Sequence, residues 1–401
     1  MKDPLGDDAP PVETRKAVTG IGLTVLALIL LVALRPSMIV TVALIVGLVF
    51  TIMLHEWGHY IAAKKSGMKV TEFFLGFGPR IWSFRRGETE YGIKAIPLGG
   101  YVRIIGMTNL EEVDPEDEDR TYRQATVGKR LITVLAGITV NLGIALVLIF
   151  TILVFQGEVP PQATTSVAAV LKDSPAAHGG MKDGDRIEAI NGSPIASWDA
   201  LGTIIRKNQD HPLSIVVRRS GHNVTVVAIP KLDHGVARIG VSPTVVSAHV
   251  GVLAAIPKTF TTGATMVKEQ IGGLGKVFSA SGLGRYGKTL TNSKGGLSEA
   301  ERPRTVLGIV AQGDAITGGH WWVLLYLLAA INVFLAFLNG LPIPPLDGGH
   351  AAVAAYEGIA SKVRGRRVQV DYQKVLPVAV VAVVVILMFG LSALYLDIRS
   401  L

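Results

Sequence analysis

Five long apolar runs decide what this 401-residue chain can become: 17–34, 37–54, 131–155, 321–338 and 375–396. Inside a bilayer no water satisfies backbone amides, so runs of about 18–20 apolar residues cross as helices. The second run continues as helix through a partly polar stretch to residue 63, where Lys64-Lys65 stop it. The first follows Arg15-Lys16 but lacks a small-x-small cleavage site, so it is read as an uncleaved additional span at 17–34. Only 17% of residues are charged, against about 25% in soluble domains. The chain is expected to be a polytopic α-helical membrane protein, its termini on opposite sides.

Orientation follows from the basic residues. Arg15-Lys16, Lys64-Lys65, Lys129-Arg130 and the group Lys362, Arg364, Arg366 and Arg367 fall on one side if the spans alternate, with Arg35 the exception. That side is cytoplasmic by the positive-inside bias, which places 157–319 outside. The net charge of +8 therefore reports basic loops beside a lipid bilayer, and no nucleic-acid partner is expected. Glycine-rich segments lack the Lys-Ser/Thr of a phosphate loop, so nucleotide binding is not supported. With no cysteine, disulfides, thiolate metal sites and Cys nucleophiles are excluded, and any metal must be held by His, Asp or Glu.

Between the spans lie polar segments of distinct character. Residues 1–16 read as a disordered tail. Residues 70–107 read as a small sheet with turns at Gly76-Phe77-Gly78-Pro79 and Arg86-Gly87, its alternation broken by Pro97-Leu98-Gly99-Gly100. Residues 108–128 form an acidic loop, with seven carboxylates between Glu111 and Asp119 expected to be solvated. Residues 165–245 read as a compact α/β domain, with a hairpin signal at Asn191-Gly192 and Ser197 as a helix N-cap. Residues 249–304 read as amphipathic helices followed from 281 by a flexible connection. No internal repeat is found, which argues against a transporter built from paired broken helices.

The chemistry concentrates in His55-Glu56-Trp57-Gly58-His59. On a helix, positions i and i+4 share a face, so the two imidazoles can hold one metal ion while Glu56 reaches a metal-bound water. If Lys64 marks the interface, His55 lies ~13 Å inside it at about 1.5 Å per residue. Ionisable groups at that depth are costly and functional by default; the plain alternative is three polar residues packed inside a bundle. A catalytic zinc takes three protein ligands and an open position. The third ligand must come from elsewhere, and residues 339–350 (Asn339-Gly-Leu-Pro-Ile-Pro-Pro-Leu-Asp347-Gly-Gly-His350) are the candidate. Three prolines cannot continue a helix, and broken backbone at membrane depth survives only inside protein or beside a wet cavity. Asp347 and His350 both qualify as the ligand. The remaining histidines lie in polar outer segments, and read as surface residues.

His55-Glu56-x-x-His59 in a span, paired with Asn339-x-x-Pro342-x-Pro344-x-x-Asp347-Gly348, resembles the site-2 protease family of intramembrane zinc metalloproteases. Ser174-Pro175-Ala176-Ala177 and Met181-Lys182-Asp183-Gly184-Asp185-Arg186-Ile187 resemble a PDZ domain. Together they are similar to the bacterial branch that cleaves anti-sigma factors in regulated intramembrane proteolysis. The resemblance covers 37–396. It implies Zn2+ as cofactor with His55, His59 and Asp347 as ligands, and Glu56 as the catalytic base. Asn339 would hydrogen-bond substrate backbone or the developing oxyanion, its plain alternative being a cap on the broken helix. Gly76, Gly78, Gly99 and Gly100 would belong to a membrane-associated β-region where the substrate span unwinds, with Pro342 and Pro344 beside it. The substrate would be a single-span membrane protein already trimmed by a site-1 protease, and the PDZ domain, extracytoplasmic, would exclude untrimmed ones. Arg238-Ile239-Gly240-Val241 is a candidate loop for a carboxyl end. The active site would lie in the cytoplasmic half of a bacterial cell membrane. An inactive adaptor that binds spans without cutting them is the competing reading, and the intact Glu56 argues against it. The span at 17–34 departs from the family pattern and has no assigned role.

Overall fold

In a computed structural model, residues 39–157, 162–233, 236–246, 250–291 and 321–400 are described, with 296, 297, 303 and 305 besides. The expected tail at 1–16, the span at 17–34, and much of the stretch between 292 and 320 lie outside the described residues. In chain order the elements are α1 (Ile39–Lys65), β1 (Val70–Arg86), β2 (Thr89–Ile104), a 3-10 turn (Pro115–Arg120), α2 (Val127–Phe155), β3 (Gln162–Val170), α3 (Pro175–His178), β4 (Arg186–Ile190), β5 (Ser193–Pro194), α4 (Trp198–Lys207), β6 (Leu213–Arg219), β7 (His222–Ala228), β8 (Lys231–Asp233), β9 (Val236–Arg238), β10 (Val241–Val246), α5 (Val252–Val277), α6 (Ala280–Leu290), α7 (Trp321–Asn339), α8 (Asp347–Arg364) and α9 (Tyr372–Ser400). They divide into two compact units, Met1–Phe150 with Pro257–Leu401, and Thr151–Ile256.

Four of the described helices, α1, α2, α7 and α9, are long and apolar enough to cross a membrane. The chain is a multi-pass membrane protein with β-rich segments between its spans. α1 ends where the sequence tells it to. Gly67 takes a positive φ of 85°, and the Met68 amide reaches back to the Ala63 carbonyl at 3.0 Å, which satisfies an orphan carbonyl of the last turn.

β1 and β2 are much longer than the sequence suggested. Neither Gly76-Phe77-Gly78-Pro79 nor Pro97-Leu98-Gly99-Gly100 ends a strand. Gly76 and Gly78, at φ 86° and 83°, let β1 bend rather than stop. The bend doubles the register: Phe73 pairs with both Val102 and Tyr91, and Phe74 with both Tyr101 and Gly92. The 100–104 segment pairs on one side with the start of β1.

The acidic run differs from the solvated loop read from sequence. Lys69 pairs with Asp117, and Arg123 clasps both oxygens of Glu118 at 2.9 and 2.5 Å. The Arg123 fork, with Gln124, holds the Glu118 carboxyl down at about 2. Glu111 turns inward and accepts the amides of Gly106 and Met107 at 2.8 and 3.3 Å. The 281–290 part of the expected flexible connection is α6, started by Ser279, whose hydroxyl accepts the Gly282 amide at 3.0 Å. Tyr286 of α6 bonds Ser392 of α9 at 2.7 Å and stacks on Phe389. α8 is also helix where the sequence showed only a basic stretch after the break.

The second unit is built on a six-stranded sheet in the order β10-β3-β4-β6-β7, with β5 beside β4. β6 alternates as its sequence does: Leu213, Ile215 and Val217 are buried, and Ser214 is exposed. With Val167, Ile187 and Val226 they form a core closed by Leu201 and Ile205 of α4. Ser197 caps α4 by accepting the Ala200 amide at 3.2 Å. Asp185 is fixed by Arg219 at 2.8 and 2.7 Å, and that guanidinium keeps its carboxyl below the usual range.

Candidate active site

α1 buries one stripe of its surface: Leu44, Thr51, His55, Gly58, His59 and Ala63. Three- and four-residue steps put these side chains over one another on a single face. The two imidazoles therefore project together, with their Nε2 atoms 3.2 Å apart. Asp347, 288 positions later than His59, closes the third corner. Its Oδ2 lies 3.3 Å from His55 Nε2 and 3.2 Å from His59 Nε2. These donors are the group of His, Asp and Glu side chains that could share a metal among the described residues.

The fit to a metal can be tested on these edges. A tetrahedral centre with bonds of about 2.0–2.1 Å has ligand-to-ligand edges of about 3.3–3.4 Å. The observed triangle of 3.2, 3.2 and 3.3 Å is one face of such a tetrahedron. Asp347 Oδ2 is buried yet makes no hydrogen bond, an orphan that a cation satisfies. His59 is set for the task by its other nitrogen: Nδ1–H donates to the Thr133 carbonyl of α2 at 2.7 Å, leaving the Nε2 lone pair aimed inward.

α2 can come this close because of two glycines. A Cβ on Gly58 would sit 2.8 Å from Val140 and 3.0 Å from the Ala136 carbonyl. A Cβ on Gly137 would lie 2.7 Å from His55 Nε2 and nearer still to His59 Nε2. Small residues at a crossing let membrane helices approach backbone to backbone. One turn before His55, Thr51 is hydrogen-bonded by Asn332 of α7 at 3.3 Å, and Asn332 is fully buried. Thr133, Gly137 and Asn332 escaped the sequence reading, because each looks like an ordinary member of an apolar run; a polar or small residue at helical spacing within such a run was the available signal.

Asp347 reaches the imidazoles from the first turn of α8, after a folded break. Residues 341–346 turn on themselves through Ile343 N to Leu341 O at 2.7 Å and Leu346 N to Ile343 O at 3.1 Å. Gly348 is pressed against the carbonyls of Gly340 and Leu341, and Gly349 against Ile343 and Pro344. Pro342 and Pro344 thus belong to the turn that delivers Asp347. Asn339 is the last residue of α7, at the mouth of the same turn. His350, the competing ligand, is directed elsewhere: its Nδ1 lies 3.4 Å from the Tyr372 hydroxyl.

Glu56 faces β2. A Cβ on Gly100 would touch Met53 Sδ at 3.1 Å and Glu56 Cγ at 3.4 Å. Gly100 therefore sits beside the motif, and Gly99 next to it touches the Phe77 ring. Gly76 and Gly78 lie against Ile96 instead. Outside the spans, Glu88 ties the hairpin to the end of α1. It meets Arg120 at 2.9 Å and Lys64 at 2.5 Å, and these bonds, Arg120 first, pull its carboxyl down to about 2.

The comparisons with known proteins converge on this arrangement. The family model of peptidase family M50 matches residues 43–387, a stretch holding both halves of the site. Zinc metalloprotease Rip1 of Mycobacterium tuberculosis (strain H37Rv) is 35% identical over 390 residues, covering 88% of this chain and 95% of its own. Rip1 of Mycolicibacterium smegmatis is 32% identical over 380 residues, covering 85% and 92%. The matched stretch holds the two buried histidines of one membrane-crossing helix, the glutamate between them, and the aspartate that α8 brings to them. The chain belongs to peptidase family M50, the site-2 protease family, and is a metal-dependent endopeptidase.

Proposed function

We propose that the protein is a zinc-dependent intramembrane protease that cuts a single-span membrane protein, of the anti-sigma-factor kind, once another protease has trimmed the substrate outside the membrane. The observation that carries this reading is the triangle of His55, His59 and Asp347 with edges of 3.2 to 3.3 Å. Two imidazoles and one carboxylate in a tetrahedral face suit zinc, and the relatives are named zinc metalloproteases.

Zinc bound to these three side chains supplies Lewis acidity, activating water and polarising the scissile carbonyl. Glu56 takes the proton of the attacking water and returns it to the leaving amine nitrogen. Asn339 offers amide donors to the substrate backbone or to charge developing on the carbonyl oxygen. A helical substrate hides its peptide bonds, so it must be extended before it is cut. The 100–104 segment, paired on one side with 70–75 and lying beside Glu56, suits addition of such a strand.

The six-stranded unit, with the short helix α3 and the longer α4 each capped by a serine, is read as a PDZ domain that stands outside the membrane and turns away bulky substrates. The basic ends support this orientation. Lys64 joins the hairpin, Arg130 bonds α8, and Arg367 bonds the Arg123 carbonyl, so these groups gather around one end of the helical unit. By the positive-inside bias that end faces the cytoplasm, which puts the metal site in the cytoplasmic half of the bilayer.

The test is reconstitution. The full chain in detergent or vesicles, loaded with zinc, is given a tagged single-span substrate. Wild type is expected to release a fragment cut within the span. Glu56→Gln is expected to lose about 10²–10⁴-fold in rate while still binding zinc and substrate. A Glu56→Gln protein that cuts as fast as wild type sinks the protease mechanism, and a wild type that binds spans without cutting them returns the adaptor reading.

A further inference from the structure

The site described above has three ligands on two helices far apart in sequence, and something must hold those helices in step. Arg130 and Glu357 are buried charges, each side chain only 7% exposed, joined Nη1 to Oε2 at 2.5 Å. Arg130 lies in the first turn of α2, three residues before Thr133, whose carbonyl orients His59, and seven before Gly137, which packs on both imidazoles. Steps of three and seven keep all three on one face of α2. Glu357 lies on α8, ten residues after Asp347, or about 15 Å along the helix. The pair therefore bolts the helix that carries the carboxylate ligand to the helix that sets the histidines.

Three neighbouring contacts hold the pair in place. Arg130 stands over the Tyr122 ring at 4.9 Å from its centre, and Tyr122 is itself fully buried. The second oxygen of Glu357 accepts the Val370 amide at 2.6 Å. Beside the pair, Gly358 meets Val127 so closely that a Cβ there would lie 3.0 Å from Val127 Cγ2 and 3.5 Å from its Cβ. A buried ion pair is weak evidence for stability, since apolar groups of the same size often serve as well. What it supplies is a fixed geometry. We infer that the Arg130–Glu357 pair is a positioning contact for the metal site: it holds α8 against α2 so that Asp347 stays on the metal, and its loss loosens the metal before it unfolds the protein. The inference rests on the metal site proposed above.

The experiment reads metal release, not activity. Full-length protein in detergent is loaded with zinc, and the metal is drawn off by an excess of chelator. Glu357→Gln keeps the shape and the acceptor for Val370 but removes the charge. It is expected to release zinc about 10-fold faster or more, the scale typical of groups that support metal ligands, with helix content and gel-filtration profile unchanged. A staple separates positioning from general stability. The chain has no cysteine, and the 3.5 Å Cβ spacing at Val127 and Gly358 is within the range of about 3.5–4.5 Å that a disulfide spans. Val127→Cys with Gly358→Cys, added to Glu357→Gln, is expected to restore release to within about 3-fold of wild type when oxidised, and not when reduced. Should Glu357→Gln not be recovered as a monodisperse protein, Arg130→Lys, which keeps the charge and loses the fork, is put through the same comparison. Release at the wild-type rate from a folded variant overturns the coupling, as does an oxidised staple that leaves release fast. A wild type that binds no zinc overturns the site itself, and the coupling with it.

Discussion

The two halves of the metal site are made in opposite ways. His55, Glu56 and His59 sit within five residues of one helix, and their geometry follows from 3.6 residues per turn wherever that helix goes. Asp347 is delivered across 288 positions of chain by a turn in which glycines touch carbonyl groups, and then by a helix that must dock correctly. The first half is local and robust; the second is only as good as the packing behind it. The same contrast separates their anchors. α1 is tied down near the surface by Lys64 and Glu88, α8 by a buried ion pair.

The largest effect should come from removing one ligand of each kind. Wild type is expected to carry about one zinc per chain, and both His55→Ala and Asp347→Ala to fall well below that, because a zinc site with two protein ligands is not retained. Metal content of the purified proteins measures it. Zinc kept in full by Asp347→Ala would break the comparison, by showing that the helix motif holds metal without the delivered carboxylate.

How much of this was legible in the sequence follows the same division. The histidine motif, the four described spans and the β4–β5 hairpin at Asn191-Gly192 rest on local signals, and the residues announce them. The proline-rich break announced a second half of the site, but the residues alone left Asp347 and His350 equal. What separates them is that His350 turns toward Tyr372, a contact made by docking and invisible in a linear pattern. α6 was hidden by Gly282, Gly284 and Gly287, since each glycine lowers helix propensity by about 1 kcal/mol and tertiary contacts with α9 override it. The acidic run read as solvated because its partners, Lys69 and Arg123, lie outside it and reach it only in the fold. The long β strands were hidden by glycines that bend a chain as readily as they end it.

A middle-sized effect tests the delivered half against the local one by adding a single methyl group to each. On Gly348 the new Cβ would run into backbone carbonyls of Gly340 and Leu341, which cannot move without opening the turn. On Gly137 it would meet the two imidazole rings, which can swing aside at the cost of their aim. Overpacking of this kind costs about 1–3 kcal/mol. Both Gly348→Ala and Gly137→Ala should weaken zinc binding, Gly348→Ala the more, while Gly143→Ala, with nothing within 4 Å of its Cβ, should be silent. Competitive chelator titration ranks the three. Equal affinity in all of them would mean that close packing does not set the site.

The smallest effect concerns the surface anchor of α1. Arg120 and Lys64 hold the Glu88 carboxyl at about 2, below its ordinary 4.5. A carboxyl depressed in the folded state stabilises the fold above its unfolded pKa, and that contribution is lost as pH falls through the folded value. The window is therefore pH 4.5 down to about 2. The side chain is a quarter exposed, and solvent screening limits such a pair to about 1 kcal/mol or less. Glu88→Gln is expected to melt slightly lower than wild type at pH 7, measured with chelator present throughout so that metal loss does not enter. The gap should narrow below pH 4.5 and close near the folded pKa. A gap that stays constant across that range would assign the loss to shape or hydrogen bonding rather than charge. A gap at pH 7 as large as that from breaking Arg130–Glu357 would remove the distinction between a surface anchor and a buried one, since the cost of losing a partner rises with how completely the remaining charge is cut off from water.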